Sequence, residues 1–197
     1  MAIADLEQIE FTSRHELRRW LADNHRAAAA FWLVSYKKHR AEEYIAYGDI
    51  VEELLCFGWI DSRTRRLDDD RTMLLVSPRK GGSTWSAANK TRLKRLRKAG
   101  LLTSLAEAQI AEAKKDRSWY FLDDIEKLVV PADLQRALDR NPRARDHFSA
   151  FGAAAKKVIL LWIKTAKRAQ TREQRVREAV RLAAMNVKAA HPEARGR

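Results

Sequence analysis

Residues 56–78, CFGWIDSRTRRLDDDRTMLLVSP, decide the fold of the first part of this chain. Two runs rich in strand-forming residues, 59–66 and 72–77, flank the acidic segment LDDD, and this pattern predicts an antiparallel hairpin with an acidic turn. Gly58 is expected to end the preceding helix, because glycine readily takes the left-handed conformation of a helix C-terminus. Pro78 is expected to end the second strand. The hairpin is therefore expected to lie between Gly58 and Pro78.

The segments before the hairpin predict two further strands and two helices. Strands are expected at 9–11 and 31–36. One helix is expected to follow Ser13, which forms a capping box with Glu16, and the other to begin with Asp49 as its N-cap. In a strand, helix, strand, helix, hairpin order, part of the sheet is parallel.

The chain after Ser83 predicts helices almost throughout. The expected helices cover residues 84–98, 103–115, 131–139, 142–150, 153–166 and 171–187, the last with a capping box formed by Thr171 and Gln174. Residues 116–130 are expected to be irregular. The predicted class is α+β, with a small mixed sheet and two helices in the N-terminal part, packed on an all-helical C-terminal half. The expected parts are 1–130, 131–190 and a frayed tail, 191–197.

Composition predicts a soluble globular protein. The 197 residues are 46% hydrophobic and 33% charged, which is enough apolar material for a buried core. A single cysteine excludes an internal disulfide. The first residues, MAIADLEQIEF, are acidic and not continuously apolar, so no secretory signal is expected. The longest apolar run, 158–163, is far shorter than the roughly 20 residues of a membrane span, and we expect a cytoplasmic protein.

The positive charge is concentrated in two segments. The net charge is +13, and residues 79–98 hold eight Lys or Arg with no Asp or Glu, while residues 143–197 hold fourteen against four. Such clustering favours an anionic partner, either nucleic acid or a small anionic ligand. Six basic residues are candidates for contact with a polyanion: Lys90, Lys94, Arg97, Lys167, Arg172 and Arg175.

No motif assigns a reaction. The chain lacks a phosphate loop, a GxGxxG fingerprint and an HExxH motif, and its five histidines are scattered. No catalytic residue, metal site or cofactor is therefore predicted, and enzymatic activity stays open, with binding favoured. Cys56 is interpreted as a buried apolar residue in preference to a catalytic thiol.

The segment before the 84–98 helix predicts an anion site. Ser83 and Ser86 are both candidate N-caps, Gly81 and Gly82 allow close backbone approach, and Arg79 precedes them. Free backbone N–H groups, the positive end of a helix dipole and an arginine together favour an anion.

Asn89 shares the apolar face of that helix with Trp85 and Leu93. A buried amide needs hydrogen-bond partners. Asn89 either ties the helix to the hairpin backbone or faces a ligand.

Several of these residues together resemble the bacterial YdeI/OmpD-associated family, also labelled bacteriocin-protection. The resemblance covers about residues 30–187 and rests on Cys56, Phe57, Gly58, Trp59, Ile60, Asp61, Ser77, Pro78, Arg79, Ser83, Trp85, Ser86, Asn89, Ala166, Lys167, Thr171, Arg172 and Arg175. It implies a link to tolerance of bacteriocins or antimicrobial peptides, with no established reaction, and a regulatory or stress-response role fits an unexported chain.

Asp61 lies on the same side of its strand as Trp59 and needs a cationic partner if that face is buried. Arg79, Arg172 or Arg175 could supply it. The structural interpretation is a salt bridge between the sheet and the helical half. The functional one is a polar pocket between two tryptophans, lined by Trp59, Asp61, Arg79, Ser83, Trp85, Ser86 and Asn89.

Arg172 and Arg175 fall in the first turns of the expected 171–187 helix. Cations are unfavourable at that end of a helix, so either an acidic residue or a bound anion must compensate them. Three hypotheses remain open for the protein: a polyanion-binding module, a pocket for a small anionic ligand that could be an enzyme, and a plain interaction protein.

Overall fold

The computed structural model describes residues 5–190, and the predicted tail 191–197 lies outside them. The chain divides into two compact units, one ending at Phe121 and the other beginning at Leu122. The first contains a four-stranded sheet with helices, and the second is helical. The predicted α+β class is therefore confirmed.

From residue 5 to Phe121, the first unit contains four strands and four α-helices. They are β1 (Gln8–Glu10), α1 (Arg14–Asn24), β2 (Phe31–Tyr36), α2 (Tyr47–Cys56), β3 (Trp59–Arg66), β4 (Arg71–Pro78), α3 (Ala87–Lys98) and α4 (Ser104–Lys115). The strand order is β1-β2-β4-β3. β1 pairs with β2 in parallel and the other pairs are antiparallel, which confirms the mixed sheet.

The predicted hairpin is confirmed. β3 and β4 pair from Trp59 opposite Pro78 to Arg66 opposite Thr72, with a register shift between Asp61 and Thr64. In the acidic turn, the Asp68 carboxylate accepts backbone hydrogen bonds from residues 70 and 71 at 2.9 and 2.7 Å. This local bonding is what makes an aspartate-rich segment a good turn.

One face of the sheet carries the main core of the first unit. Aromatic rings of Trp20, Phe31 and Trp59 contact one another there, and leucines from α1 and α2 complete it. Trp59 is 1% exposed and donates its indole N–H to the carbonyl of His25 at 3.1 Å. Trp59 is therefore a core residue.

The second unit is built from five helices within the described residues. They are α5 (Asp123–Glu126), α6 (Ala132–Asp139), α7 (Pro142–Ala150), α8 (Ala153–Lys164) and α9 (Ala169–Ala184). Pro142 opens α7 as predicted, and the Asn141 side chain caps it by accepting the backbone N–H of Ala144. No helix within residues 5–190 is long and apolar enough to cross a membrane.

Three predicted helix starts are wrong. α2 begins at Tyr47 with Ala46 as N-cap, so Asp49 lies in its first turn and does not cap it. α3 begins at Ala87, three residues after the expected position, because its N-cap is Ser86, the second of the two predicted candidates.

The start of α9 differs as well. It begins at Ala169 with Arg168 as N-cap, without a side-chain capping bond. Thr171 therefore lies inside the helix, and the predicted capping box with Gln174 is not formed. The region 116–130, expected to be irregular, contains a short 3-10 turn, Ser118–Tyr120, and α5.

Candidate functional site

The segment between β4 and α3 is held in a fixed conformation by its own hydrogen bonds and by α4. The backbone N–H of Arg79 donates to the carbonyl of Gly58 at 2.9 Å, so the segment starts as a continuation of the hairpin. The Ser83 hydroxyl donates to the carbonyl of Lys80 at 2.6 Å. Gly82 has a φ of +73° and donates its N–H to the Asp116 carboxylate at 3.2 Å.

Arg79 is a buried cation with no acidic ion-pair partner among the described residues. Its side chain is only 7% exposed, and Nη1 donates to the carbonyl of Thr84 at 3.1 Å. No carboxylate in residues 5–190 forms an ion pair with it. Its guanidinium carbon lies 3.6 Å from the ring centroid of Trp85, which stabilises the cation without neutralising it.

Burial lowers the pKa of Arg79 to about 10, although the negative charge of Asp61 acts in the opposite direction. The guanidinium is therefore protonated at neutral pH, in a site where its charge costs free energy.

A cavity of about 150 Å³ lies beside Arg79. A cavity of this size in another protein admits a benzene molecule. It is formed by the 79–85 segment, α4 and the residues that follow α4: Arg79, Lys80, Gly81, Gly82, Ser83, Trp85, Gln109, Glu112, Ala113, Asp116 and Ser118.

Three side chains that line this cavity each carry a buried polar atom without a hydrogen-bond partner. They are Nε of Arg79, Nε1 of Trp85 and Oε1 of Gln109, two donors and one acceptor. An unsatisfied buried group costs about 1–3 kcal/mol. All three atoms are closed to solvent, so a ligand in the cavity does not contact them in this conformation.

Sequence reasoning missed Gln109. Its Nε2 donates to the carbonyl of Arg79 at 3.4 Å, and its amide lies against Gly58, where an added Cβ would stand 2.6 Å from Oε1. The available signal was the helical spacing of residues 109, 112 and 116, which places them on one side of α4.

The cavity wall carries both signs of charge. Arg79 and Lys80 stand on the segment after β4, while Glu112 and Asp116 come from α4 and its C-terminal end. Hydrogen bonds from Ser118 and from the backbone N–H of Gly82 lower the pKa of Asp116, which favours its charged form.

Four of the predicted pocket residues do not line this cavity. Trp59 is in the core, and the Ser86 hydroxyl caps α3. Asp61 accepts a hydrogen bond from the Tyr47 hydroxyl at 2.7 Å in place of the expected arginine partner. Asn89 accepts from Nη1 of Arg92 on the same helix at 3.2 Å, and no bond to the hairpin backbone is observed for its side chain. Arg79, Ser83 and Trp85 are the predicted residues that the structure brings together.

The basic residues predicted on α3 have different surroundings. Lys94 is exposed, whereas Arg97 forms an ion pair with Glu107, with Nε 2.7 Å from the carboxylate. Lys90 lies over the rings of Trp119 and Tyr120, with Nζ 5.2 and 5.9 Å from their centroids.

In the second unit, Arg172 donates from Nε and Nη2 to both carboxylate oxygens of Asp133, at 2.7 and 3.0 Å. An acidic residue therefore compensates this cation. Arg175 bonds the Trp162 carbonyl near the end of α8 and the Thr165 hydroxyl, and Lys167 is exposed.

Cys56 is fully buried, and burial raises the pKa of its thiol, which disfavours the nucleophilic thiolate. Within the residues that the structure describes, no cluster of His, Cys, Asp or Glu is arranged to hold a metal ion.

Two family models match the chain. Residues 9–109 match a domain of unknown function (DUF8412), and residues 127–186 match a family described as bacteriocin-protection, YdeI or OmpD-associated. The second match agrees with the resemblance found in the sequence. A search of curated proteins and one of solved structures gave no match.

Proposed function

We propose that this chain binds a small anionic ligand through Arg79. The chain belongs to the family of a domain of unknown function (DUF8412), and it carries a segment that matches the bacteriocin-protection, YdeI or OmpD-associated family. The observation that carries the proposal is that the Arg79 charge is buried and forms no ion pair with a carboxylate of residues 5–190. This arginine lies in the wall of a cavity of about 150 Å³.

A buried charge is normally paired, because removing an ion from water costs several kcal/mol unless a partner compensates it. Arg79 has a stacked indole and one carbonyl in the structure. An oxyanion bound in the cavity would complete this set, since carboxylates and phosphates accept charge-assisted hydrogen bonds from a guanidinium.

We propose binding in preference to catalysis. The residues that line the cavity include no histidine or cysteine, and the Ser83 hydroxyl is engaged with the carbonyl of Lys80. A serine nucleophile needs an adjacent general base within hydrogen-bond reach. The arrangement supports recognition of an anion by a preformed site.

For the cell we propose a cytoplasmic regulatory or stress-response role, in which ligand binding precedes an indirect effect on bacteriocin tolerance. The support for this step is the description of the matched family. In a bacterium that carries the protein, loss of bacteriocin tolerance on deletion should be restored by the wild-type chain and not by Arg79→Met.

Calorimetric titration of inorganic phosphate and of acetate into the purified protein tests the binding. We expect saturable binding that Arg79→Met weakens at least about tenfold, because hydrogen bonds to charged groups are worth about 1.5–3 kcal/mol. Lys94→Met, which removes an exposed charge, is the matched control and should bind as the wild type does. Equal affinities for wild type and Arg79→Met would refute the proposal.

Binding of a polyanion such as nucleic acid is the second candidate. The net charge of +13 and the exposure of Lys94, Lys98 and Lys167 favour it, whereas Arg97 and Arg172 are engaged with carboxylates. Affinity for a short DNA should then fall steeply with salt and should depend on Lys94 and Lys98 more than on Arg79.

A further inference from the structure

A second cavity, of about 500 Å³, lies in the first unit and shares no lining residue with the cavity beside Arg79. Strands β2, β3 and β4 form its sheet side through Ser35, Thr64, Thr72 and Leu74. Ser35 stands opposite Thr72 in the register, and Leu74 stands opposite Thr64. Opposite residues of an antiparallel pair, and alternate residues of one strand, project from the same face of a sheet, so these four side chains lie together. We call this space the Ser35 cavity.

The rest of the wall of the Ser35 cavity is mainly apolar and aromatic. Ile45 and Ile50 are buried, and both belong to the main core of the first unit. Tyr44 and Tyr47 are 39% and 55% exposed, so they border the opening. The Tyr47 hydroxyl donates to the Asp61 carboxylate at 2.7 Å, which holds the ring in place. Ligand pockets commonly have volumes of about 300–1,000 Å³ and walls of this kind, with few polar groups.

Ser35 supplies a polar group that the described part of the protein does not use. The residue is 4% exposed, and its hydroxyl has no hydrogen-bond partner among residues 5–190. Its oxygen is nevertheless open to solvent, unlike the three unbonded atoms beside the Arg79 cavity. The neighbouring Thr72 hydroxyl donates to the carbonyl of Arg65 at 3.0 Å and is already engaged. Because buried hydroxyls normally have a partner, Ser35 presents an unused donor and acceptor to the cavity that it lines.

The Ser35 cavity differs from the Arg79 cavity in its charge. The described residues that line it include two lysines and no Asp, Glu or Arg. Nζ of Lys37 donates to the carbonyls of Asp68 and Asp69, at 2.7 and 2.9 Å, and Lys38 is exposed to solvent. Neither ammonium group is a buried charge that needs an anion. A ligand suited to this wall is therefore uncharged and carries a single hydrogen-bonding group.

We infer that the Ser35 cavity binds a small uncharged aromatic molecule with one hydroxyl group, of the class of simple phenols. The ring packs against the isoleucines and the two tyrosines, since aromatic rings attract one another edge to face or offset. The ligand hydroxyl bonds the Ser35 hydroxyl, and each can donate or accept. This site shares no residue with the Arg79 site, so the inference goes beyond the proposed function and does not depend on it.

A matched pair of probes tests both parts of this inference. p-Cresol and p-xylene have the same ring and the same number of non-hydrogen atoms, and they differ in a hydroxyl group against a methyl group. Binding to the full-length protein is followed by the NMR shifts of the Ile45 and Ile50 methyl groups, assigned with Ile45→Val and Ile50→Val. Comparing each probe between wild type and a variant cancels the different cost of removing the two probes from water.

We expect both probes to shift the two isoleucine methyl groups saturably. Ser35→Ala should weaken p-cresol about fivefold and leave p-xylene unchanged, which is the usual contribution of a hydrogen bond between neutral groups. Ser62→Ala is the matched control on the same sheet, because its hydroxyl donates to the carbonyl of Leu75 at 3.3 Å and does not line the cavity. It should bind both probes as the wild type does.

Tyr44→Ala tests the aromatic wall at an exposed position, where the substitution does not endanger folding. It should weaken p-cresol and p-xylene by similar factors, because it removes a ring that both probes contact. Unchanged affinity for both probes would show that the aromatic wall is wrongly assigned.

The other outcomes separate the cavity from its polar group. If neither probe shifts the methyl groups of Ile45 and Ile50, the Ser35 cavity is not a ligand site and the inference is wrong. If both probes bind but Ser35→Ala weakens neither, or weakens both equally, the hydrogen bond to Ser35 is refuted. None of these results alters the proposal for Arg79, which is tested with phosphate and acetate.

Discussion

Arg79 stacks on Trp85, with 3.6 Å between the guanidinium carbon and the ring centroid, while no carboxylate pairs with this arginine in residues 5–190. Stacking on an indole face stabilises a cation by about 2 kcal/mol when the pair is desolvated, yet it leaves the positive charge available to a ligand. An ion pair in the same position would cancel that charge. The arrangement thus places a buried cation beside a cavity in a form that can still receive an anion.

Gly58→Ala should destabilise the first unit by about 1–2 kcal/mol. Gly58 has a φ of +74°, which costs an L-residue this amount, and the new Cβ would stand 2.6 Å from Oε1 of Gln109. Urea unfolding measures the change. Gly81→Ala is the matched control, because nothing lies within 4 Å of its added Cβ, and a loss as large as that of Gly58→Ala would contradict the account.

Ser86→Ala should cost about 1 kcal/mol of unfolding free energy, the usual loss on removal of an N-cap serine. The Ser86 side chain accepts the backbone N–H of Asn89 at the start of α3. Ser83→Ala should cost less, because its hydroxyl serves a partly exposed turn. The reverse order in thermal unfolding would show that Ser83 is the cap.

Glu53→Gln should destabilise the protein by about 2 kcal/mol. Glu53 is 1% exposed and accepts charge-assisted bonds from Nε of Arg14 at 2.6 Å and Nη1 of Arg18 at 2.8 Å. Glu173→Gln removes an exposed ion pair with Arg177 and should change stability by less than about 0.5 kcal/mol. Equal effects of the two substitutions in chemical denaturation would contradict this prediction.

Asp133→Asn should destabilise the protein at pH 6, and the effect should shrink as the pH falls toward 3. Hydrogen bonds from Arg172 lower the pKa of Asp133 in the folded state. A carboxyl with a lowered pKa contributes stability above its unfolded pKa of about 3.9, and this contribution is lost as the pH falls through the folded-state value.

The expected loss at pH 6 for Asp133→Asn is about 1 kcal/mol or less, because both side chains are about one-third exposed. Denaturant unfolding from pH 6 to pH 3 measures it, with Asp139→Asn on the same helix as control. A difference between wild type and Asp133→Asn that grows toward acid would have the wrong sign.

The sequence predicted the hairpin and the mixed sheet well, because the continuous apolar run of β4 and the LDDD turn are local signals. Helix starts were less predictable where two capping residues stood close together, as with Ser83 and Ser86. For α9, the capping pattern at Thr171 misled the prediction, because the helix begins two residues earlier.

The candidate site was predictable only in part. Arg79, Ser83 and Trp85 lie close together in the chain, so their meeting at one cavity followed from local pattern. Asp61 with Tyr47, and Arg172 with Asp133, are partners 14 and 39 residues apart that spacing alone does not reveal. Gln109 was missed because a glutamine on an amphipathic helix resembles any other solvated polar residue.

Arg79 has no acidic ion-pair partner in residues 5–190, and we propose that an oxyanion binds to its buried charge. Urea unfolding of wild type and Arg79→Met, each with and without saturating phosphate, tests it most directly. Without phosphate, Arg79→Met should be as stable as wild type or more stable, because the buried charge is gone. With phosphate, wild type alone should gain stability, since a ligand that binds only the folded state shifts the equilibrium toward it. Destabilisation of Arg79→Met without phosphate, together with an equal phosphate response in both proteins, would show that Arg79 is a structural residue and contradict the account.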